Sequence, residues 1–179
     1  MRRLLVIACS QSKSREAGLI PAIERYDGPA FRVIRKYLRE SRDLSLKIWI
    51  ISAKFGLLES SQPIPDYDCQ MSRISALALR SEISSAARKL IDSERWDRIG
   101  LSAGMVYRFA LGDSIQVGDE VFRLELLDGG LGSRLSRLKA WLRSTESADL
   151  LTVAGRIEGH SARKASSVVN ALECHGEAP

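Results

Sequence analysis

Histidine is nearly absent from this chain: two occur in 179 residues, His160 and His175, both near the C-terminal end. The three cysteines, Cys9, Cys69 and Cys174, show no short paired spacing. A zinc site would have to gather ligands from opposite ends of the chain, so no metal is expected. An odd, scattered cysteine set also argues against a disulfide scaffold and fits a reducing cytoplasm. No stretch approaches the ~20 apolar residues of a membrane span. The apolar start, Leu4 to Cys9, gives way to Ser10-Gln11-Ser12-Lys13. That is too short for a secretory core, and a buried first strand is the expectation. Internal repeats and low-complexity segments are lacking too. Gly129-Gly130-Leu131-Gly132 is no dinucleotide fingerprint: it follows the wrong strand and has no acidic ribose partner at the required distance. No cofactor is expected.

What is present is ordinary globular material, 45% hydrophobic and 27% charged. Twenty-seven Lys and Arg against 22 Asp and Glu leave +5. That excess permits contact with a polyanion without requiring it. The length suits one domain with a core of its own.

Leu4 to Ala8 and Leu46 to Ile51 are continuous apolar runs, the mark of strands covered on both faces. Trp96 to Leu101 reads as a third strand. Helical spacing runs over 29–41, with Phe31, Ile34, Tyr37 and Leu38 on one face. A second helix, capped by Ser72 and reaching Ser93, carries a stripe that includes Ile74, Leu77, Ile83 and Leu90. A polar loop from Ser52 to Gln70 separates strand from helix. Ser102-Ala103-Gly104 opens a helix through Leu111. Ser114–Val117 and Glu120–Leu126 flank Gly118-Asp119, a hairpin signal. A further helix carries Leu135, Leu138, Trp141 and Leu142, and the three tryptophans read as core. The alternation predicts an α/β fold: a three-layer, doubly wound, mainly parallel sheet over 1–143. A linker and C-terminal helical extension, including a helix over 161–172, fill 144–179.

Right-handed crossovers put the loops after the strands at one sheet edge, where such folds bind ligands. Three loops qualify. Cys9-Ser10-Gln11-Ser12-Lys13 offers hydroxyls, amides and an ammonium group for an anion or a carbonyl-bearing base. A plain turn with a solvated lysine explains it equally well. Ser52-Ala53-Lys54-Phe55-Gly56-Leu57-Leu58 continues to Pro65-Asp66-Tyr67-Asp68. In an extended segment Asp66 and Asp68 share a side. Tyr67 or Phe55 can stack on a base, and one aspartate can act as general base. Alternatively Asp66 prepares a turn and Asp68 helps to cap the helix. Ser102, Gly104 and Tyr107 form the third group, with helix–sheet packing as the other explanation of Gly104. Gly130 and Arg134 can wrap the far side of the pocket. Arg137, Arg156, Arg163 and Lys164 can form a phosphate-contacting face or a solvated helix surface.

At these loops the chain resembles the YaaA family of peroxide-stress proteins. The match is closer to a poorly characterised bacterial, archaeal and phage domain family. Its pattern of Cys-Ser-x-Ser-Lys, Ser-Ala-Lys-aromatic-Gly-Leu-Leu, Pro-x-Tyr-Asp and Gly-Gly-x-Gly-x-Arg falls here on 9–13, 52–58, 65–68 and 129–134. Such domains resemble, distantly, the uracil-DNA glycosylase fold. The resemblance implies handling of an unusual base in DNA or RNA, with its excision from modified phage DNA as the expected activity. A monomer acting in the cytoplasm, with no membrane partner, is the expectation from the chain itself. A non-catalytic damaged-DNA binder, an RNA partner, and an enzyme of free nucleosides or nucleotides are the alternatives. Typical uracil-DNA glycosylases carry an aspartate in the first-strand loop and a later histidine. Here the first loop has no acid and no histidine precedes His160. A catalytic carboxylate would then be Asp68, with Asp66 second.

Overall fold

The computed structural model describes residues 1–41, 43–115 and 122–144. Contacts divide the chain into two units, Met1–Leu142 and Arg143–Pro179, and the sheet with its covering helices belongs to the first. The described residues form seven strands: β1 (Arg3–Ala8), β2 (Ile20–Pro21), β3 (Leu46–Ser52), β4 (Gly56–Glu59), β5 (Pro63–Ile64), β6 (Arg98–Ser102) and β7 (Arg123–Leu126). The helices are α1 (Ala22–Arg25), α2 (Pro29–Ser41), α3 (Arg73–Ser93), α4 (Met105–Leu111) and α5 (Leu131–Arg143).

The main sheet runs β4-β3-β1-β6-β7. β1 pairs in parallel with β3 and β6, and β6 with β7, while β4 is antiparallel. Strand alternation splits the core into two layers. Leu5, Ile7, Ile48 and Ile50 face Phe31, Ile34, Leu138 and Trp141 from α2 and α5. Leu4, Val6, Ile51, Ile99 and Leu101 face Ala76, Ile83, Ala87, Leu90 and Ala110 from α3 and α4. The sheet thus lies between two helical layers, as the apolar runs of β1 and β3 require. Gly100 admits Trp141 against the sheet: a Cβ there would lie 2.8 Å from the indole Cε2. The chain leaves β1 for β3 on one side and returns to β6 on the other. β1 is therefore the switch point, and the loop after it opens into a crevice at the carboxyl edge.

Several expectations are corrected. The segment 52–70 is not a plain loop, for it folds back as β4 and then pairs β5 with β2. Ile74 and Leu77 are 83% and 64% exposed. The buried stripe of α3 is Ala76, Ile83, Ala87 and Leu90, a face rotated away from both. Ile83 and Leu90 of the expected stripe do lie on that face, joined there by Ala76 and Ala87. Trp49 is half-buried, whereas Trp96 and Trp141 are core. The third strand begins at Arg98. Of the hairpin about Gly118-Asp119, residues 116–121 lie outside the described set; Ser114 and Ile115 are not strand, and β7 runs parallel to β6. The helix over 161–172, with His160, Cys174 and His175, also lies outside the described residues.

Candidate functional site

Three parallel strands, β1, β3 and β6, end together, so the loops at Cys9, Ser52 and Ser102 share one edge. β7 ends there too, bringing the Gly129-Gly130 turn to the same side. The arrangement is knitted by contacts between loops distant in sequence. The Cys9 amide donates to the Ile51 carbonyl at 2.9 Å, and the Cys9 Sγ lies 3.3 Å from the Tyr107 hydroxyl.

The Ser-Ala-Lys-Phe-Gly-Leu-Leu stretch is a β-hairpin whose tip stands at this edge. Ser52 is fully buried and its Oγ accepts from the amides of Lys54 (3.2 Å) and Phe55 (3.1 Å). Gly56 then takes φ +68°, the left-handed conformation that a three-residue hairpin loop needs. A Cβ at Gly56 would also lie 3.0 Å from Glu82 Oε1. Each of these residue types is thus demanded by local geometry. What the tip displays is Lys54 and Phe55.

Tyr67 sits beneath. It is 8% exposed, and its hydroxyl lies 3.0 Å from Ser52 Oγ and 2.6 Å from the Tyr26 hydroxyl. Phe55 packs edge-on against the ring at a centroid distance of 5.0 Å. Burial pushes the Tyr67 phenol up to about 12 and drives Tyr26 and Tyr107 upward as well. All three are neutral hydrogen-bonding groups at ordinary pH. Tyr67 therefore forms a fixed floor rather than a freely projecting stacking ring. Above it the Lys13 ammonium lies 4.5 Å from the ring centroid and that of Lys54 lies 5.5 Å away.

A cleft of about 600 Å³ opens here, lined by Gln11, Ser12, Lys13, Arg15, Asp66, Tyr67 and Asp68. That volume lies in the range of small-ligand sites. The first loop and the Pro-x-Tyr-Asp segment, expected to meet at one edge, do form its walls. Asp66 and Asp68 line it together, as alternation in an extended segment predicts. Asp66 Oδ1 accepts from the Tyr67 amide at 2.9 Å, consistent with a turn-forming role. Asp68 is exposed and makes no hydrogen bond or ion pair with the described residues. It does not cap α3, because Ser72 and Ser75 form a reciprocal capping box there.

The remaining expected residues are spread along the edge. Ser10 Oγ donates to the Ser12 carbonyl at 2.6 Å and accepts from the Gly28 amide at 3.1 Å, which makes it a loop staple. Cys9 is half-buried beside Tyr107, and Ser102 is buried. Gly104 precedes α4, and a Cβ there would meet open space, so close helix–sheet packing does not explain it. Gly130 lies in the turn before α5. Arg134 donates to the Gly129 carbonyl at 3.2 Å and pairs with Asp128 at 3.8 Å. Arg137 is exposed on α5. Arg156, Arg163 and Lys164 lie outside the described residues.

Gln11, Arg15, Arg25 and Tyr26 were not singled out from the sequence. Arg25 is fully buried and has no carboxylate partner among the described residues. Its guanidinium donates at 2.7 Å to each of the Ser14, Glu16 and Gly18 carbonyls. It is the post that shapes the wall carrying Lys13 and Arg15. Tyr26 forms a β-bridge with Lys13. An arginine read in sequence counts as surface, and nothing marks it as the hub of a loop. Arg15 was within reach, since it continues the polar run after Lys13.

Residues 4–140 match the family of unknown function DUF6884, and the chain belongs to it. No curated protein and no solved structure matches the chain.

Proposed function

We propose that this member of the DUF6884 family is a base-processing enzyme that excises a modified nucleobase from DNA by hydrolysis of its N-glycosidic bond. The observation that carries the reading is Asp68, a carboxylate in a cleft at the switch point of a parallel sheet, unneutralised by any described residue although cations line the same cleft. The resemblance of 9–13, 52–58, 65–68 and 129–134 to YaaA-like and, distantly, uracil-DNA glycosylase-like domains supports the same reading, including a shared fold ancestry. Phage DNA carrying modified bases is the substrate the resemblance favours.

In the reaction the C1′–N bond breaks and its electron pair leaves with the base. Positive charge builds on the sugar, and an ionised carboxylate nearby is worth most at that point. Asp68 supplies it. A water oxygen then bonds to C1′, one water proton passes to Asp68, and the departing base takes a proton from solvent. Asp66, engaged with the Tyr67 amide, holds the segment in shape. A base in duplex DNA must be flipped out to reach a cleft of this kind. Gln11 and Ser12 provide donors and acceptors for its edge.

The test is incubation of the purified protein with naturally modified phage DNAs and unmodified DNA. Released base and alkali-labile abasic sites in modified DNA alone are expected. Intact glycosidic bonds in every substrate, with DNA nevertheless bound, would instead point to a non-catalytic binder.

A further inference from the structure

The cations along this edge are not equivalent. Arg32 and Arg35 are paired with Asp27 at 2.7 and 2.6 Å, and their hydrogen bonds draw its carboxyl down to about 2. Arg108 is paired with Asp128 at 3.0 Å, and Arg134 with the same carboxylate at 3.8 Å. Lys13 is different. It lines the cleft with Asp66 and Asp68 yet forms an ion pair with neither. Among the described residues its side chain makes one long hydrogen bond, to the Gln11 carbonyl at 3.4 Å, and its ammonium rests 4.5 Å from the Tyr67 ring centroid.

A ring face attracts an ammonium without cancelling its charge. A carboxylate partner would fix the group equally well and remove it from use. Two further constraints keep Lys13 in place. Its backbone is bridged to Tyr26, and the Tyr26 hydroxyl holds that of Tyr67 at 2.6 Å. One residue thus positions both the lysine and the ring under it. Arg15 in the same cleft and Lys54 over the same ring also lack an acidic partner among the described residues. The cleft thus holds a lysine fixed on a ring, with Arg15 beside it in the same lining as the two carboxylates.

We infer that Lys13, seated on Tyr67, is the phosphate anchor of the cleft, so that the ligand is a phosphate-bearing nucleotide, free or within a strand, and not a free nucleoside. The inference rests on reading the cleft as a nucleotide site but not on the cleavage chemistry. The phosphate binds at the Lys13 pole, and the sugar and base extend toward Asp66 and Asp68. Repulsion by the two carboxylates sets the direction, because a phosphate placed at their end would meet like charge.

Equilibrium binding to the full chain, by calorimetry at two salt concentrations, tests this with four probe classes. These are the four deoxynucleoside 5′-monophosphates, the matching nucleosides, inorganic phosphate, and a short single-stranded oligonucleotide. At least one phosphate-bearing probe is expected to bind at least tenfold tighter than any nucleoside and to weaken as salt rises. Lys13→Gln is expected to lower that affinity about tenfold or more, the scale of a lost charged contact, and Lys13→Arg to restore most of it. Melting curves without ligand separate this from misfolding, since Lys13→Gln removes no ion pair with a described residue and is expected to melt like the wild type. Binding of the oligonucleotide alone assigns the phosphate to a strand. Binding of the monophosphates alone also supports the anchor but removes the DNA-excision reading. Nucleosides binding as tightly as monophosphates, no binding by any phosphate-bearing probe, or full affinity in a folded Lys13→Gln protein would each overturn the inference. Base release without these effects would leave the excision reading standing while removing the anchor.

Discussion

The hydroxyls of Tyr26 and Tyr67 lie 2.6 Å apart beneath the cleft, joining the chain after α1 to the segment that carries both candidate carboxylates. Tyr26 is fully buried and Tyr67 is 8% exposed, so neither hydroxyl can readily exchange its partner for water. Tyr67→Phe removes the group that Tyr26 and Ser52 share. Ser52 keeps two amide donors, while Tyr26 loses its 2.6 Å partner and keeps only its contact with Ser52. The expected cost is about 1–3 kcal/mol, read as a lower urea midpoint at unchanged slope. Tyr26→Phe is expected to cost less, because Tyr67 still has Ser52 at 3.0 Å.

The same burial makes stability depend on alkaline pH. Burial holds the Tyr67 phenol at about 12 in the folded protein, against about 10 for a free tyrosine. Above pH 10 the unfolded chain sheds this proton while the native protein retains it, so the unfolded state binds fewer protons and stability falls as pH rises. The contribution is complete below pH 10 and is lost between about pH 10 and 12. Urea unfolding across that window should decline more steeply for the wild type than for Tyr67→Phe. Parallel declines would mean that Tyr67 titrates as a solvated phenol.

Much of this architecture was legible in the sequence. The continuous apolar runs of β1 and β3 announced a sheet covered on both faces, and the strand–helix alternation placed the loops after Cys9, Ser52 and Ser102 at one edge. Two features were not legible. The β4 strand was hidden because Phe55-Gly56-Leu57-Leu58 lies in a polar, proline-containing stretch, and its pairing with β3 depends on a long-range environment rather than local pattern. Ile74 and Leu77 fit a helical stripe, but helical spacing alone cannot say which of two overlapping faces meets the sheet. At the site, Lys13, Tyr67 and Asp68 stood out as polar residues after strands. The burial of Tyr67 did not, since a tyrosine between two aspartates looks exposed until the hairpin folds over it.

Packing between the sheet and α5 offers a separate check. Gly100 lies under Trp141, and a Cβ at that position would come within 2.9 Å of two indole atoms. Trp141 is 3% exposed and cannot swing away. Gly100→Ala is expected to destabilise by about 1–3 kcal/mol through overpacking, visible as a lower Tm. Pairing it with Trp141→Phe should recover part of the loss, because the smaller ring leaves room for the methyl group.

Asp68→Asn tests the central claim most directly. The substitution keeps the size of the side chain and removes its charge and basicity. Asp68 is exposed and bonded to no described residue, so the variant should melt like the wild type and retain DNA binding. Asp66→Asn should have a much smaller effect, since its amide oxygen can still accept from Tyr67. The measurement is the rate of base release from modified DNA by wild type and both variants under single-turnover conditions. A fall on the order of a hundredfold or more for Asp68→Asn, the scale of a lost acid–base group, is the predicted result. A folded Asp68→Asn protein that releases base at the wild-type rate would contradict the account.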